Sequence, residues 1–118
     1  MNEEPIYHIC AADDWQKAAV IGAYDGSAQD KVDGFIHFST RDQVVASAVK
    51  HFTGQADLVL LVVGVGAIRQ GLKWENDYPH LYAPLPIECV HEVIPLAVDP
   101  DDGQFIFPFA TRDVGEDI

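Results

Sequence analysis

Three of the five histidines in this 118-residue chain lie in apolar, strand-like segments. They are His8, His37 and His80, and each has an aromatic residue one or two positions away. Histidine titrates near pH 6.5 and often acts as an acid, a base or a ligand contact. Burial beside apolar side chains removes hydration that a partner must replace. The pattern predicts that the three histidines meet in one pocket, with side-chain nitrogens within about 10 Å of each other. The alternative is three separate core histidines, each bonded to a backbone carbonyl.

Three histidines could also bind zinc. However, no two histidines are spaced i, i+2 or i, i+4, so the sequence predicts no metal site. Cys10 follows His8 by two residues and would share a face of a regular strand with it. A Cys–His nucleophile is one interpretation, but we favour a buried, unreactive cysteine. Glu75 beside Trp74 is either an acid desolvated by its aromatic neighbour or a solvated loop residue.

The charge balance excludes some classes of partner. Nineteen acidic residues against seven basic ones give a net charge of −12, and no basic stripe is present. Phosphate backbones are bound mainly through Lys and Arg. Nucleic acid and membranes are therefore not expected partners, although a single arginine such as Arg41 could hold one phosphate of a small ligand.

Length and composition indicate one domain over residues 1–118, with a core over about residues 5–108 and a polar tail at 111–118. An apolar fraction of 48% is enough for a core without disulfides. The acidic N-terminus lacks the features of a signal peptide. No apolar run approaches the roughly 20 residues of a membrane span. We therefore expect a soluble, cytoplasmic protein, and the sequence gives no indication of its oligomeric state.

Hydrophobic patterning predicts two helices early in the chain and mostly strands after them. The strands are expected at 6–10, 34–39, 58–65, 81–85, 90–98 and 104–108, the helices at 12–21 and from Thr40 to Gly54, and long loops at 23–33 and 67–77. Thr40 and Gln43 have the spacing of a capping box. The strand at 58–65 is wholly apolar, which predicts cover on both faces. This order of elements favours an α+β domain.

The segments Ile6–Ile9, Gly34–Ser39 and Pro79–Leu85, with Trp15, resemble a small bacterial family known as a domain of unknown function, number 952. That family is in turn similar to the ADP-ribosyltransferases, which bind NAD between two small sheets and, in one branch, use a His-Tyr-Glu triad on three strands. The resemblance implies an ADP-ribosyltransferase-like α+β fold, with two small, mostly antiparallel sheets.

The resemblance also implies roles for particular residues. His8 corresponds to the histidine that hydrogen-bonds the ribose, and His37 stands near the tyrosine that stacks on nicotinamide. Where the transferases place a glutamate, this chain has His80, and the nearest acid upstream is Glu75. The glutamate stabilises positive charge on the ribose as nicotinamide leaves. Because histidine supplies no negative charge, the resemblance supports the fold better than the reaction.

From these arguments we predict two sets of site residues. The candidate catalytic residues are His37, His80 and Glu75, and the candidate ligand-binding residues are His8, Ser39, Thr40, Arg41 and Tyr82. The predicted function is to bind or act on NAD or a related nucleotide, as a transferase or glycohydrolase, with NAD as substrate and no resident cofactor. The alternative is a non-catalytic module that binds a ligand or a protein and keeps only a degenerate pocket.

Overall fold

The computed structural model describes residues 4–108. The strands are β1 (Ile6–Ala11), β2 (Ala23–Tyr24), β3 (Ile36–His37), β4 (Leu58–Val63), β5 (Leu72–Glu75), β6 (Tyr78–Leu81), β7 (Leu85–Pro86), β8 (Val90–Val98) and β9 (Phe105–Ile106). The α-helices are α1 (Ala12–Ile21), α2 (Ala28–Asp33) and α3 (Arg41–Phe52), and 3₁₀ turns cover Val65–Gly71 and Ile87–Cys89. The α+β class is confirmed, with the described strands in several antiparallel sheets.

The main sheet has the strand order β1-β4-β8-β9. All six residues of β4 are buried, which confirms the prediction of cover on both faces. On one face, Leu60 and its neighbours pack against Val44 and Ala48 of α3. On the other face, Leu61 packs in a cluster that includes Ile36 of β3 and Leu81 of β6. β4 is therefore the strand shared by two hydrophobic clusters.

A second sheet has the order β3-β6-β5. In it, His37 pairs directly with His80. One residue later, the Phe38 N–H donates to the Pro79 carbonyl at 2.9 Å, and Ser39 then pairs with Tyr7 of β1. The segment changes partners between the two sheets, and for this reason the predicted strand at 34–39 is reduced to β3.

The prediction of a loop at residues 23–33 is wrong, because this segment contains β2 and α2. Ser27 caps α2, and its side chain and that of Asp30 form a capping box. The helix ends at Gly34, whose φ of 89° favours glycine. Six residues without an apolar stripe carry no helical periodicity, so only the cap could have indicated this helix.

The prediction of a long connection at residues 67–77 is also wrong, because this segment contains part of a 3₁₀ turn and β5. β5 and β6 form a hairpin whose two turn residues, Asn76 and Asp77, have φ of 53° and 69°. β5 is a short edge strand, and the alternation of apolar and polar residues over Leu72–Glu75 is the sequence signal that could have indicated it. The strand predicted at 81–85 is split, since residues 82–84 separate β6 from β7.

Other predicted elements agree more closely with the structure. α1 and the strand at 90–98 are confirmed, as is the helix that Thr40 caps, which ends at Phe52. β4 ends at Val63, two residues early, and the last predicted strand is reduced to β9. The tail predicted at 111–118 lies outside the described residues. Within residues 4–108, no helix is both long and apolar enough to cross a membrane.

Candidate functional site

Four rings meet beside the second sheet, and we call Phe35, His37, His80 and Tyr82 the ring cluster. The pairing of β3 with β6 places the His37 and His80 ring centroids 5.6 Å apart. Phe35 stacks on His80 with centroids 4.1 Å apart, and its ring centroid lies 4.5 Å from that of His37 and 5.1 Å from that of Tyr82. The structure thus brings together two of the predicted histidines through a phenylalanine between them.

Glu75 reaches this cluster from the end of β5. Its Oε1 lies 2.7 Å from His80 Nδ1 and accepts a hydrogen bond from the Tyr82 hydroxyl at 2.7 Å. Hydrogen bonds hold the pKa of Glu75 below its usual value, with the larger effect from His80 and the smaller from Tyr82. Glu75 is therefore a carboxylate. Because the carboxylate only accepts, His80 Nδ1 carries a proton, and in the neutral ring Nε2 keeps a lone pair.

His37 contacts two carboxylates of α2, neither of which the sequence analysis singled out. Its Nδ1 lies 2.5 Å from Asp30 Oδ1, and its Nε2 lies 3.1 Å from Asp33 Oδ2. Burial by itself would raise the pKa of Asp30, but nearby His8 and hydrogen bonds from His37 and Ser27 outweigh it and hold that pKa below its usual value. The capping-box spacing from Ser27 to Asp30 was the one sequence signal for this helix.

His8 lies under the cluster, only 5% exposed. Its Nδ1 donates to the His37 carbonyl at 2.6 Å, so in the neutral ring Nε2 accepts from the Tyr24 hydroxyl at 2.8 Å. Burial lowers the pKa of His8 below 6.5, which favours this neutral form. The resemblance implies a ribose contact at this position. In the structure both ring nitrogens have internal partners, and His8 links the main sheet to the second sheet.

Cys10 shares a face of β1 with His8, as the spacing predicts, and lies in the core. Burial raises the pKa of Cys10 to about 12, so the group is a thiol at neutral pH. A thiol is a poor nucleophile, which favours the interpretation of an unreactive cysteine. In the part of the chain that the structure describes, no group of three or more His, Cys, Asp or Glu side chains is placed to hold a metal ion.

Three other predicted ligand contacts lie at the start of α3. Ser39 Oγ is 3.1 Å from Ser47 Oγ. The Thr40 N–H donates to Gln43 Oε1 at 2.9 Å within the predicted capping box. Arg41 is the exposed first residue of the helix. The Ser39 side chain and the capping-box bond of Thr40 therefore contact α3 rather than the ring cluster.

A cavity of about 210 Å³ adjoins the ring cluster: Phe35 and Tyr82 of the cluster line it together with Asp30, whereas His37, His80 and Glu75 do not. Such a volume suits a single small ring rather than a whole dinucleotide. A larger depression of about 500 Å³ lies along the 3₁₀ turn at Val65–Gly71, against Pro84 and Pro86. The larger depression includes none of the ring cluster, so we place the candidate site at the smaller one.

Comparisons with known proteins give one family match and similar solved structures. The family described as "Protein of unknown function (DUF952)" matches residues 9–93. The crystal structure of protein CC0527 from Caulobacter crescentus is similar, with 40% identity, a TM-score of 0.82, and 86% of this chain and 93% of that one covered. The solution NMR structure of CC0527 gives 41% identity, a TM-score of 0.75, and 85% and 90% coverage. No curated protein matches the chain.

Proposed function

Because the chain belongs to the DUF952 family, whose description specifies no activity, we propose a function from its own site: the protein binds NAD or a related nucleotide and cleaves its nicotinamide–ribose bond. The proposal includes the ADP-ribosyltransferase-like fold inferred from the sequence. Antiparallel sheets joined by the segment after His37 support that likeness.

The position of Glu75 is the observation that carries this proposal. The sequence lacks a glutamate directly before the Tyr82 segment, where the transferases have one. In the structure, Glu75 reaches Tyr82 and His80 from the neighbouring strand, at 2.7 Å from each. An oriented carboxylate next to a reacting ribose stabilises the positive charge that develops as nicotinamide leaves. Glu75 thus supplies the negative charge that His80 lacks.

The other cluster residues have distinct roles in this proposal. Phe35 and His37 offer flat surfaces to the nicotinamide ring, and Tyr82 lies at the rim of the cavity. The C–N bond breaks with its electrons going to nicotinamide, and water adds to the ribosyl carbon. His80 Nε2 accepts the proton that this water loses. His8 positions the His37 strand, and Arg41 is the proposed phosphate contact.

The test is NAD cleavage by the wild type and by Glu75→Gln, followed as ADP-ribose formation. Glu75→Gln keeps the shape but removes the negative charge, so the rate should fall by about 100-fold or more. Glu88→Gln is the matched control, because Glu88 is exposed in the 3₁₀ turn at Ile87–Cys89 and should leave the rate unchanged. Equal rates for Glu75→Gln and the wild type would remove Glu75 from the mechanism.

A non-catalytic module is the second candidate, and one observation favours it. Both nitrogens of His8 and of His37 already have internal partners, and Glu75 Oε1 accepts two internal bonds. In a degenerate pocket, the polar side chains would bond one another in this way and leave few groups for a ligand. In that case NAD or ADP-ribose would raise the melting temperature without being consumed. Absence of both binding and cleavage would reject the nucleotide in either role.

A further inference from the structure

Asp30 is a buried carboxylate that the proposed reaction does not use. It is 3% exposed, it lies between α2 and β3, and its Oδ2 is 3.7 Å from His8 Nε2 of β1. Its Oδ2 accepts the Ser27 N–H at 2.8 Å, and its Oδ1 faces the His37 N–H at 3.2 Å and His37 Nδ1 at 2.5 Å. A charged group buried to this degree needs such bonds from donors. Their convergence on one imidazole gives Asp30 a role beyond capping α2.

We infer that Asp30 is a positioning residue that holds neutral His37 as the Nδ1–H tautomer, so that Nε2 is the ring atom that exchanges a proton. A carboxylate has no proton to donate, so a ring nitrogen bonds it as an N–H donor, and a neutral His37 can bond only one of its two carboxylates in this way. We assign that N–H to Nδ1, which faces Asp30. The neutral imidazole has only one N–H, and its lone pair is then on Nε2. Asp30 therefore determines which atom of His37 can act as acid or base.

Asp33 faces the opposite nitrogen of the same ring, but its setting differs. Its side chain is 34% exposed and lies 3.1 Å from His37 Nε2. Asp30 is fixed by the cap of α2 and by the backbone N–H of His37 in β3, whereas Asp33 contacts only side chains, those of His37 and of Gln29 in its own helix, among the described hydrogen bonds and ion pairs. A rigid partner sets a tautomer better than an exposed one, which water or a ligand hydroxyl can replace. Asp33 is accordingly the displaceable partner.

His8 also holds the backbone of His37 in place. Its Nδ1 donates to the carbonyl of His37 at 2.6 Å, while Asp30 accepts from the N–H of the same residue. Both backbone polar groups of His37 are thus held by buried side chains. The catalytic use of this arrangement rests on the function proposed above. In that reaction the lone pair on His37 Nε2 would accept a hydrogen bond from the nucleotide, while the one proton that water loses goes to His80.

The experiment reads the ring nitrogens directly, in the free protein without nucleotide. Two-bond ¹H–¹⁵N correlation spectra, recorded at a pH at which they show a neutral His37 ring, should show wild-type His37 protonated at Nδ1. Asp30→Ala leaves Asp33 as the remaining carboxylate, so the proton should move to Nε2. Asp33→Ala is the matched control from the same helix and should keep the Nδ1–H form.

A wild-type His37 protonated at Nε2 would overturn the inference, as would an unchanged tautomer in a folded Asp30→Ala variant. If Asp30→Ala does not fold, the wild-type spectrum and that of Asp33→Ala still decide the question. A merely structural Asp30 would affect stability without moving the proton between nitrogens. Because the spectra need no nucleotide, a failure of NAD to bind or react would leave this result standing.

Discussion

The three histidines that lie in similar sequence contexts occupy three different environments. His8 is buried and bonded at both nitrogens by neutral groups. His37 lies between two carboxylates and is 42% exposed, and His80 bonds one carboxylate. Residue type therefore indicated a site, but the position of each ring relative to the two sheets determines its role.

The buried His8 should make stability fall in mild acid. Its folded pKa lies below the unfolded value of 6.5, so between these values the unfolded chain binds a proton that the folded chain does not. Stability is then lost as the pH falls below about 6.5. Asp30, whose pKa is lowered from 3.8, adds a further loss at still lower pH. Urea denaturation at a series of pH values would measure both.

The variant His8→Asn isolates the first effect. An Asn amide can still donate to the His37 carbonyl but does not titrate. The variant should be less stable at neutral pH, because the Tyr24 hydroxyl loses its acceptor at a cost of about 1–3 kcal/mol. Its stability should also depend less on pH between about 7 and 5. If the stability of the wild type and that of the variant depend on pH in the same way, the pKa of His8 does not differ between the folded and unfolded chains.

At the scale of elements, the hairpin of β5 and β6 carries both Glu75 and His80. Its turn residues have positive φ, and Gln43 of α3 donates from Nε2 to the Asp77 carbonyl at 2.7 Å. The same Gln43 side chain accepts from the Thr40 N–H. One glutamine thus ties the start of α3 to the hairpin, which fixes the site relative to the main sheet.

The turn conformation can be tested at Asp77, whose φ is 69°. Asp77→Gly should keep or slightly raise stability, because an Asn-Gly pair is favoured in this kind of turn. Asp77→Val should cost about 1–3 kcal/mol, because a β-branched residue is strained at positive φ. Both variants keep the backbone carbonyl that Gln43 contacts. Equal unfolding midpoints in urea for the two variants would contradict the turn assignment.

At the scale of the whole molecule, the central strand β4 belongs to both hydrophobic clusters of the fold. Its alternate residues enter the two hydrophobic clusters on opposite faces of the main sheet. β1 and β8 flank it, so it has no free edge. The acidic surface, with a net charge of −12, adds repulsion that this core must overcome.

Leu60→Ala tests the contribution of this strand. Leu60 is fully buried against α3, so its truncation should lower the free energy of unfolding by about 2–5 kcal/mol. Val49→Ala is a control from the helix itself, because Val49 is 58% exposed and should change stability by less than about 0.5 kcal/mol. A small loss in Leu60→Ala would mean that the face of the sheet that contacts α3 is not closely packed. Thermal or urea unfolding would measure the difference.

Local patterns in the sequence were enough for α1, α3, β4 and the α+β class, because helical periodicity and a long apolar run are properties of neighbouring residues. They also identified His37, His80 and Glu75 as residues of interest. They missed α2, which is short and has no apolar stripe, and β5, whose alternation covers only four residues of the predicted connection. The contact between Glu75 and His80 depends on a two-residue turn, and the opposition of His37 and His80 depends on strand register. Only tertiary pairing sets that register, since a shift of one residue would turn each side chain to the other face.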